Sequence, residues 1–171
     1  IHDDRKKKGL DDFGYSAAIK VTPKSTWKVH PTLDPMGLKL RESRDSIEHP
    51  VSSPITIFLD VTGSMNNVVR TIYAKLPNVM GVLLRHNYVT DPQIMIGAVG
   101  DATCDKIPLQ VGQYESGLEI EGSFENVVIE SGGGGQNTES YELALYTLAR
   151  HTVTDAWEKR GKKGYAFLIG D

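Results

Sequence analysis

Apolar residues follow no clear period over residues 1–50, where prolines stand at positions 23, 31, 35 and 50. A proline pushes the residue before it toward extended geometry, which interrupts regular structure. The segment reads as an irregular N-terminal extension with one short strand, Tyr15–Val21, pinned to a core by Trp27 and Leu33. From Pro54 the pattern sharpens. Ile55-Thr56-Ile57-Phe58-Leu59 is β-branched and aromatic and ends at Asp60. A continuous apolar run of this kind suits a strand buried on both faces of its sheet. Val69, Ile72, Leu76, Val79 and Leu83 then recur at helical spacing up to His86. Pro77 inside that stretch predicts a kink or a break. Gln93–Val99 is a second strand, and Lys106–Val111 a short third one that forms an edge hairpin with it. Glu115–Glu130 places Ile120, Phe124, Val127 and Val128 on one helical face, with Gly122 delaying the helix start to about Ser123. Its five glutamates lack basic neighbours and read as an exposed acidic surface. After the glycine loop Gly132–Gly135, Tyr141, Ala144, Leu145 and Leu148 mark a helix to about His151. Thr154–Arg160 adds a further turn, and Tyr165–Ile169 is a last apolar strand before Gly170-Asp171.

The order is strand, helix, two strands, helix, glycine loop, helix, strand. Such alternation predicts an α/β fold, a doubly wound, mostly parallel sheet with helices on both faces. Residues 1–50 form the extension and 51–171 the domain. In sheets of this class ligands bind outside the carboxyl ends of the strands. Two apolar strands end directly at an aspartate, Asp60 and Asp171.

Composition narrows the function classes. With 39% hydrophobic and 24% charged residues, disorder over the whole length is excluded. The longest apolar runs fall far short of the ~20 residues of a membrane-spanning helix. The start, Ile1-His2-Asp3-Asp4, has no apolar stretch of the secretory type, and position 1 is not methionine, so the chain reads as an excerpt of a longer protein. The single cysteine, Cys104, excludes an internal disulfide and leaves too few thiolates for a zinc cluster. It reads as a small buried hydrophobe. Residues 1–50 carry ten Lys/Arg against eight Asp/Glu, and 51–171 carry nine against fourteen. An acidic domain argues against nucleic acid as partner. The run Arg5-Lys6-Lys7-Lys8 beside Asp3, Asp4, Asp11 and Asp12 reads as a solvated tail. Asp101 reads as an exposed loop carboxylate.

The chemistry concentrates in Asp60-Val61-Thr62-Gly63-Ser64. The strand delivers Asp60 to the sheet's edge, and a turn permitted by Gly63 folds Thr62 and Ser64 back beside it. One carboxylate and two hydroxyls are hard oxygen donors, suited to Mg²⁺, Mn²⁺ or Ca²⁺. A helix N-cap would account for Ser64 alone, but not for an aspartate closing an apolar strand just before it.

Phe58-Leu59-Asp60-Val61-Thr62-Gly63-Ser64-Met65 resembles the first motif of von Willebrand factor A domains, whose Asp-x-Ser/Thr-x-Ser loop forms a metal-ion-dependent adhesion site. The segment Gly132–Gly135, Gln136-Asn137-Thr138-Glu139-Ser140 is similar to the family's second loop, and Phe167-Leu168-Ile169-Gly170-Asp171 to its third. The resemblance covers about Pro54 to Asp171. It implies that Thr62 and Ser64 bind a divalent ion directly. Asp60 and Asp171 would act directly or through water, and Glu139, or Thr138 in the threonine version of the loop, would set the state of the site. It implies a binding module rather than an enzyme, one in which a partner's acidic side chain completes the coordination of Mg²⁺, Mn²⁺ or Ca²⁺. Trp157-Glu158-Lys159-Arg160-Gly161 and Ile169-Gly170-Asp171 look like cytoplasmic prokaryotic or phage members. Such members often serve AAA+ ATPases or multiprotein assemblies. The family's fold continues past the third motif with further helices and two more strands, so a later segment or another chain is expected to complete the sheet. The rival resemblance is to haloacid-dehalogenase-type phosphotransferases, with Asp60 as nucleophile, Asp171 in the last metal motif and Lys162 or Lys163 neutralising charge. Thr62 stands against it, where most phosphatases of that family place a second aspartate.

Overall fold

The computed structural model describes residues 12–36, 40–130 and 139–171. In chain order its regular elements are α1 (Gly14–Lys20), β1 (Arg41–Ser43), β2 (Ser53–Asp60), α2 (Asn66–Arg85), β3 (Pro92–Val99), β4 (Leu109–Glu115), α3 (Glu119–Asn126), α4 (Tyr141–His151), β5 (Thr152–Thr154), α5 (Asp155–Arg160) and β6 (Tyr165–Ile169). Two short 3₁₀ turns, Lys24–Thr26 and Pro31–Leu33, lie between α1 and β1. The run Arg5–Lys8, the glycine loop Gly132–Gly135 and Thr138 lie outside the described residues. No described helix is long and apolar enough to cross a membrane.

The most apolar stretch becomes the centre of a four-stranded sheet. β2 runs parallel to β3 on one side and to β6 on the other, and β4 joins β3 antiparallel at the far edge. The sheet is therefore mixed. Counted in chain order its strands stand 3-2-1-4, which matches the opening of the doubly wound order 3-2-1-4-5-6. The direction of winding reverses between β2 and β6, and the crevice at their carboxyl ends is the switch point where such sheets hold ligands.

Side chains alternate across the strands and fill two layers. Ile55, Ile57, Leu59, Ile94 and Ile96 pack with Val69, Tyr73 and Leu76 of α2 and with Ile120 and Phe124 of α3. Phe58, Met95, Val111 and Tyr114 pack on the opposite face with Ala144 and Leu148 of α4. Helices thus cover both faces, as the alternation of elements predicts. Of the kink or break expected at Pro77, the break is absent, because one 20-residue helix spans the position.

Four other expectations are corrected. Tyr15–Val21 is helix α1 rather than a strand; Ala17 and Ala18 favour helix, and Tyr15 and Ile19, four residues apart, both pack against the cluster of Trp27, Ile107 and Val128. The third strand spans Leu109–Glu115 instead of Lys106–Val111. The helix expected over Glu115–Glu130 is confined to Glu119–Asn126 and runs through Gly122, while Val127, Val128 and Ile129 are buried. Nor is Glu130 part of an exposed acidic surface. It is buried, accepts the Ile107 N–H and pairs with Lys24 at 2.8 Å.

The N-terminal residues are bound to the rest. Phe13 and Leu33 enter the main core, and the Ser16 hydroxyl accepts the Ile129 N–H at 3.1 Å. β1 pairs parallel with β5 in a separate two-stranded sheet. Beyond β1, Arg44 bonds Asp155 and Glu158, while Asp45 accepts from Arg160 and Lys159 of α5. Helix α5 is closed by the Thr154 side chain at its start and by Gly161, at φ 61°, at its end.

Candidate metal centre

Asp60 is the last residue of the central strand and is fully buried. Two strand-end features explain how a carboxylate is tolerated there. Its Oδ1 accepts the Thr62 backbone N–H at 2.8 Å and the Thr62 hydroxyl at 2.6 Å. Its Oδ2 accepts the Tyr141 hydroxyl at 2.7 Å. A buried carboxylate so supplied with donors is held without an adjacent cation.

The second contributor arrives on the segment before α4. The Ser140 N–H donates to the Gly100 carbonyl at 3.0 Å, and the Ser140 hydroxyl oxygen accepts the Ala102 N–H at 3.0 Å. These bonds fasten the start of α4 to the loop after β3 and carry Glu139 and Tyr141 to the end of β2. The third contributor, Asp171, follows β6, which runs parallel beside β2 with Ile169 opposite Leu59. Carboxylate oxygens of Asp60, Glu139 and Asp171 lie within 4.8 Å of one another. Asp60 is buried, Glu139 half-buried and Asp171 exposed, so the group opens to solvent on the Asp171 side.

Thr62 is buried against Asp60, while Ser64 is exposed on the turn leading to α2. Thr138 lies outside the described residues. Tyr141, which the sequence marks as one of the positions of a helix, turns out to belong to the site. Its hydroxyl also approaches the Asp171 carbonyl oxygen at 3.5 Å. Burial first, and then its bond to Asp60, raises the Tyr141 phenol well above the ordinary tyrosine range, so it remains a donor. Gly170 makes room for it: a Cβ there would sit 2.1 Å from the Tyr141 hydroxyl oxygen and 3.3 Å from Asp60 Oδ2. A tyrosine after a glycine-rich loop, with a glycine beside the strand-end aspartate, is the only trace of this contact in the sequence.

The neighbouring strand ends in a similar loop. Asp101 follows β3, and its Oδ1 accepts the Thr103 N–H at 2.7 Å and hydroxyl at 2.6 Å. Expected as an exposed loop carboxylate, it is buried. Its bonds from Thr103, and then from Cys104, hold its carboxyl below the usual range. Cys104, expected to be buried, is exposed. Its thiol donates to Asp101, which pushes its ionisation up, so it is not an activated nucleophile.

Three ionised carboxylates this close repel one another, and a divalent cation among them relieves the repulsion. The acidic group includes no histidine or cysteine, and an all-oxygen donor set fits Mg²⁺, Mn²⁺ or Ca²⁺ rather than a soft metal. Comparison with protein-family models, curated proteins and solved structures finds no match for this chain.

Proposed function

We propose that the chain is a divalent-metal-dependent protein-binding module of the von Willebrand factor A kind. The observation that carries this reading is the meeting of the Asp60, Glu139 and Asp171 carboxylates at the carboxyl ends of β2 and β6, at the switch point of the sheet. These carboxylates, with the hydroxyls of Thr62 and Ser64, would hold the ion. Held there, a divalent ion would offer an acidic side chain of a partner protein a charge to bind. Three carboxylates against a double positive charge leave one negative charge in excess, which would repel such a partner. Donors from Thr62 and Tyr141 to Asp60 offset part of that excess. The module binds rather than turns over, and the reading carries with it a cytoplasmic location and a partner such as an AAA+ ATPase or a multiprotein assembly.

The phosphotransferase reading is less well supported. Asp60 accepts three hydrogen bonds, two on Oδ1 and one on Oδ2, and donors on both oxygens withdraw charge from the carboxylate and make it a poorer nucleophile. Lys162 and Lys163 precede β6, which is parallel to β2, so they stand at the opposite end of the sheet from Asp60.

We infer in addition that a further strand, from a later segment or another chain, covers β6. Its outer edge has no partner among the described residues, and Tyr165 and Phe167 are each 53% exposed.

Calorimetry tests the metal. Mg²⁺ or Mn²⁺ should bind once per chain, and Asp60→Ala should abolish the heat. Unchanged binding in that variant would remove the site. Incubation with generic phosphate esters should give no turnover; turnover lost in Asp60→Asn would reverse the ranking of the two readings.

A further inference from the structure

A second feature stands apart from the acidic group. Between β4 and α4 lies a groove of about 460 Å³, walled by Leu109, Val111, Leu143 and Tyr146, with Met36 and Arg41 among its lining. Its size falls in the range of small-molecule sites, roughly 300–1,000 Å³.

Arg41 is 2% exposed. β4 bulges here, with two residues, Gly112 and Gln113, opposite Ile96 alone, and Arg41 takes up the carbonyls this leaves. Its Nε donates to the Gly112 and Val111 carbonyls at 2.6 and 3.2 Å, and its Nη2 to those of Val111 and Asp34 at 2.6 and 3.3 Å. The remaining nitrogen, Nη1, is buried and has no hydrogen-bond partner. No carboxylate among the described residues forms an ion pair with this guanidinium. Residues 37–39, which precede it closely in sequence, carry no acid. Bonds to three carbonyls and the charge of nearby Asp34 offset much of its lost hydration, and Nη1 alone is left without an acceptor.

We propose that this groove binds a small amphipathic monocarboxylate. Its apolar body lies along Leu109, Leu143 and Tyr146, and its carboxylate accepts from Nη1 of Arg41. One cation with one unused nitrogen matches a single negative charge rather than a phosphate dianion. The ligand's tail replaces water on walls that are mostly aliphatic or aromatic. Reaching Nη1 requires the rim to yield. The site is independent of the metal reading.

The test uses decanoate, below its micellar concentration, titrated into the full chain and followed by calorimetry and by amide NMR shifts. Decanoate should bind once per chain and shift the amides of residues 109–111 and 143–147. Decan-1-ol, which has the same tail and no charge, should bind at least tenfold more weakly. Arg41→Met should weaken decanoate at least tenfold. Because Arg41 also supports the β4 bulge, that variant is paired with Tyr146→Glu at a position 60% exposed, where folding is not at risk and a carboxylate in the groove should abolish binding. No binding of decanoate by the unmodified chain, equal binding of decanol, unchanged binding in Tyr146→Glu, or binding of decyl sulfate in place of decanoate would each overturn the proposal.

Discussion

Asp60 draws its tolerance from Thr62 and Tyr141, and Tyr141 draws its position from the absence of a side chain at Gly170. The four residues therefore act as a unit. Gly170→Ala places a methyl group 2.1 Å from the Tyr141 hydroxyl oxygen and 2.7 Å from its ring carbon, so the ring must leave Asp60. Overpacking of this kind costs about 1–3 kcal/mol, and urea denaturation should show a loss of that size. In a Tyr141→Ala background the added methyl meets no ring, and the same substitution should cost little. Contacting residues couple in this way, and distant ones add. Equal costs in the two backgrounds would mean that Gly170 serves some other purpose. Tyr141→Phe, which removes only the donor, should destabilise by about 1.5–3 kcal/mol, the worth of a hydrogen bond to a charged acceptor.

At the scale of elements, the joint between the segment after β1 and helix α5 is ionic. Asp155 accepts from Arg44 and pairs with Lys159, and Asp45 accepts from Arg160 and from the Ser52 N–H and hydroxyl. The Lys159 and Arg44 cations, with the Asp45 backbone N–H, lower the Asp155 carboxyl from 3.8 to about 2. Asp45 is lowered further, chiefly by Arg160. A carboxylate whose folded value is depressed stabilises the fold above its unfolded value and loses that contribution as pH falls through the folded one. The urea midpoint should therefore fall between pH 3.8 and about 2, and Asp155→Asn should flatten the fall in that window. A midpoint with the same acid slope in the variant would show that other carboxylates govern it. The joint also explains why α5 forms from only six residues. It is capped at both ends and clamped from outside, since a helix this short is not stable on its own propensity.

At the scale of the molecule, the described residues cover the sheet on both faces around β2 and β3 and leave β6 bare. An apolar strand with an open edge is a template for pairing with another chain. Beside it an apolar cavity of about 440 Å³ lies between β6 and α2, lined by Ile57, Leu76 and Phe167 among others. Residues 1–171 expressed alone should self-associate with rising concentration in sedimentation experiments. Phe167→Lys, at a position 53% exposed, should shift the population several-fold toward monomer by putting a charge on the edge. A sharply melting monomer of the unmodified chain at high concentration would show that β6 needs no cover.

What the sequence by itself determined is what short-range pattern encodes. β2, β3, β6, α2 and α4 were legible because continuous β-branched runs and helical spacing are local properties of a chain. Asp60 and Asp171 at strand ends were legible for the same reason, and Glu139 through the motif that carries it. Tertiary structure alone decided the rest. Ala17 and Ala18 could not announce α1 against the apolar residues around them until Ser16 met Ile129. The glutamate run gave no sign that Glu130 would be buried against Lys24, over a hundred residues earlier. Neither the Tyr141–Asp60 bond nor the carbonyls that hold Arg41 follow from spacing, since their partners stand 81 and about 70 positions away. Periodicity states which side of an element is buried. Which distant segment covers it, and which polar atoms must then find partners, is settled only when the layers close.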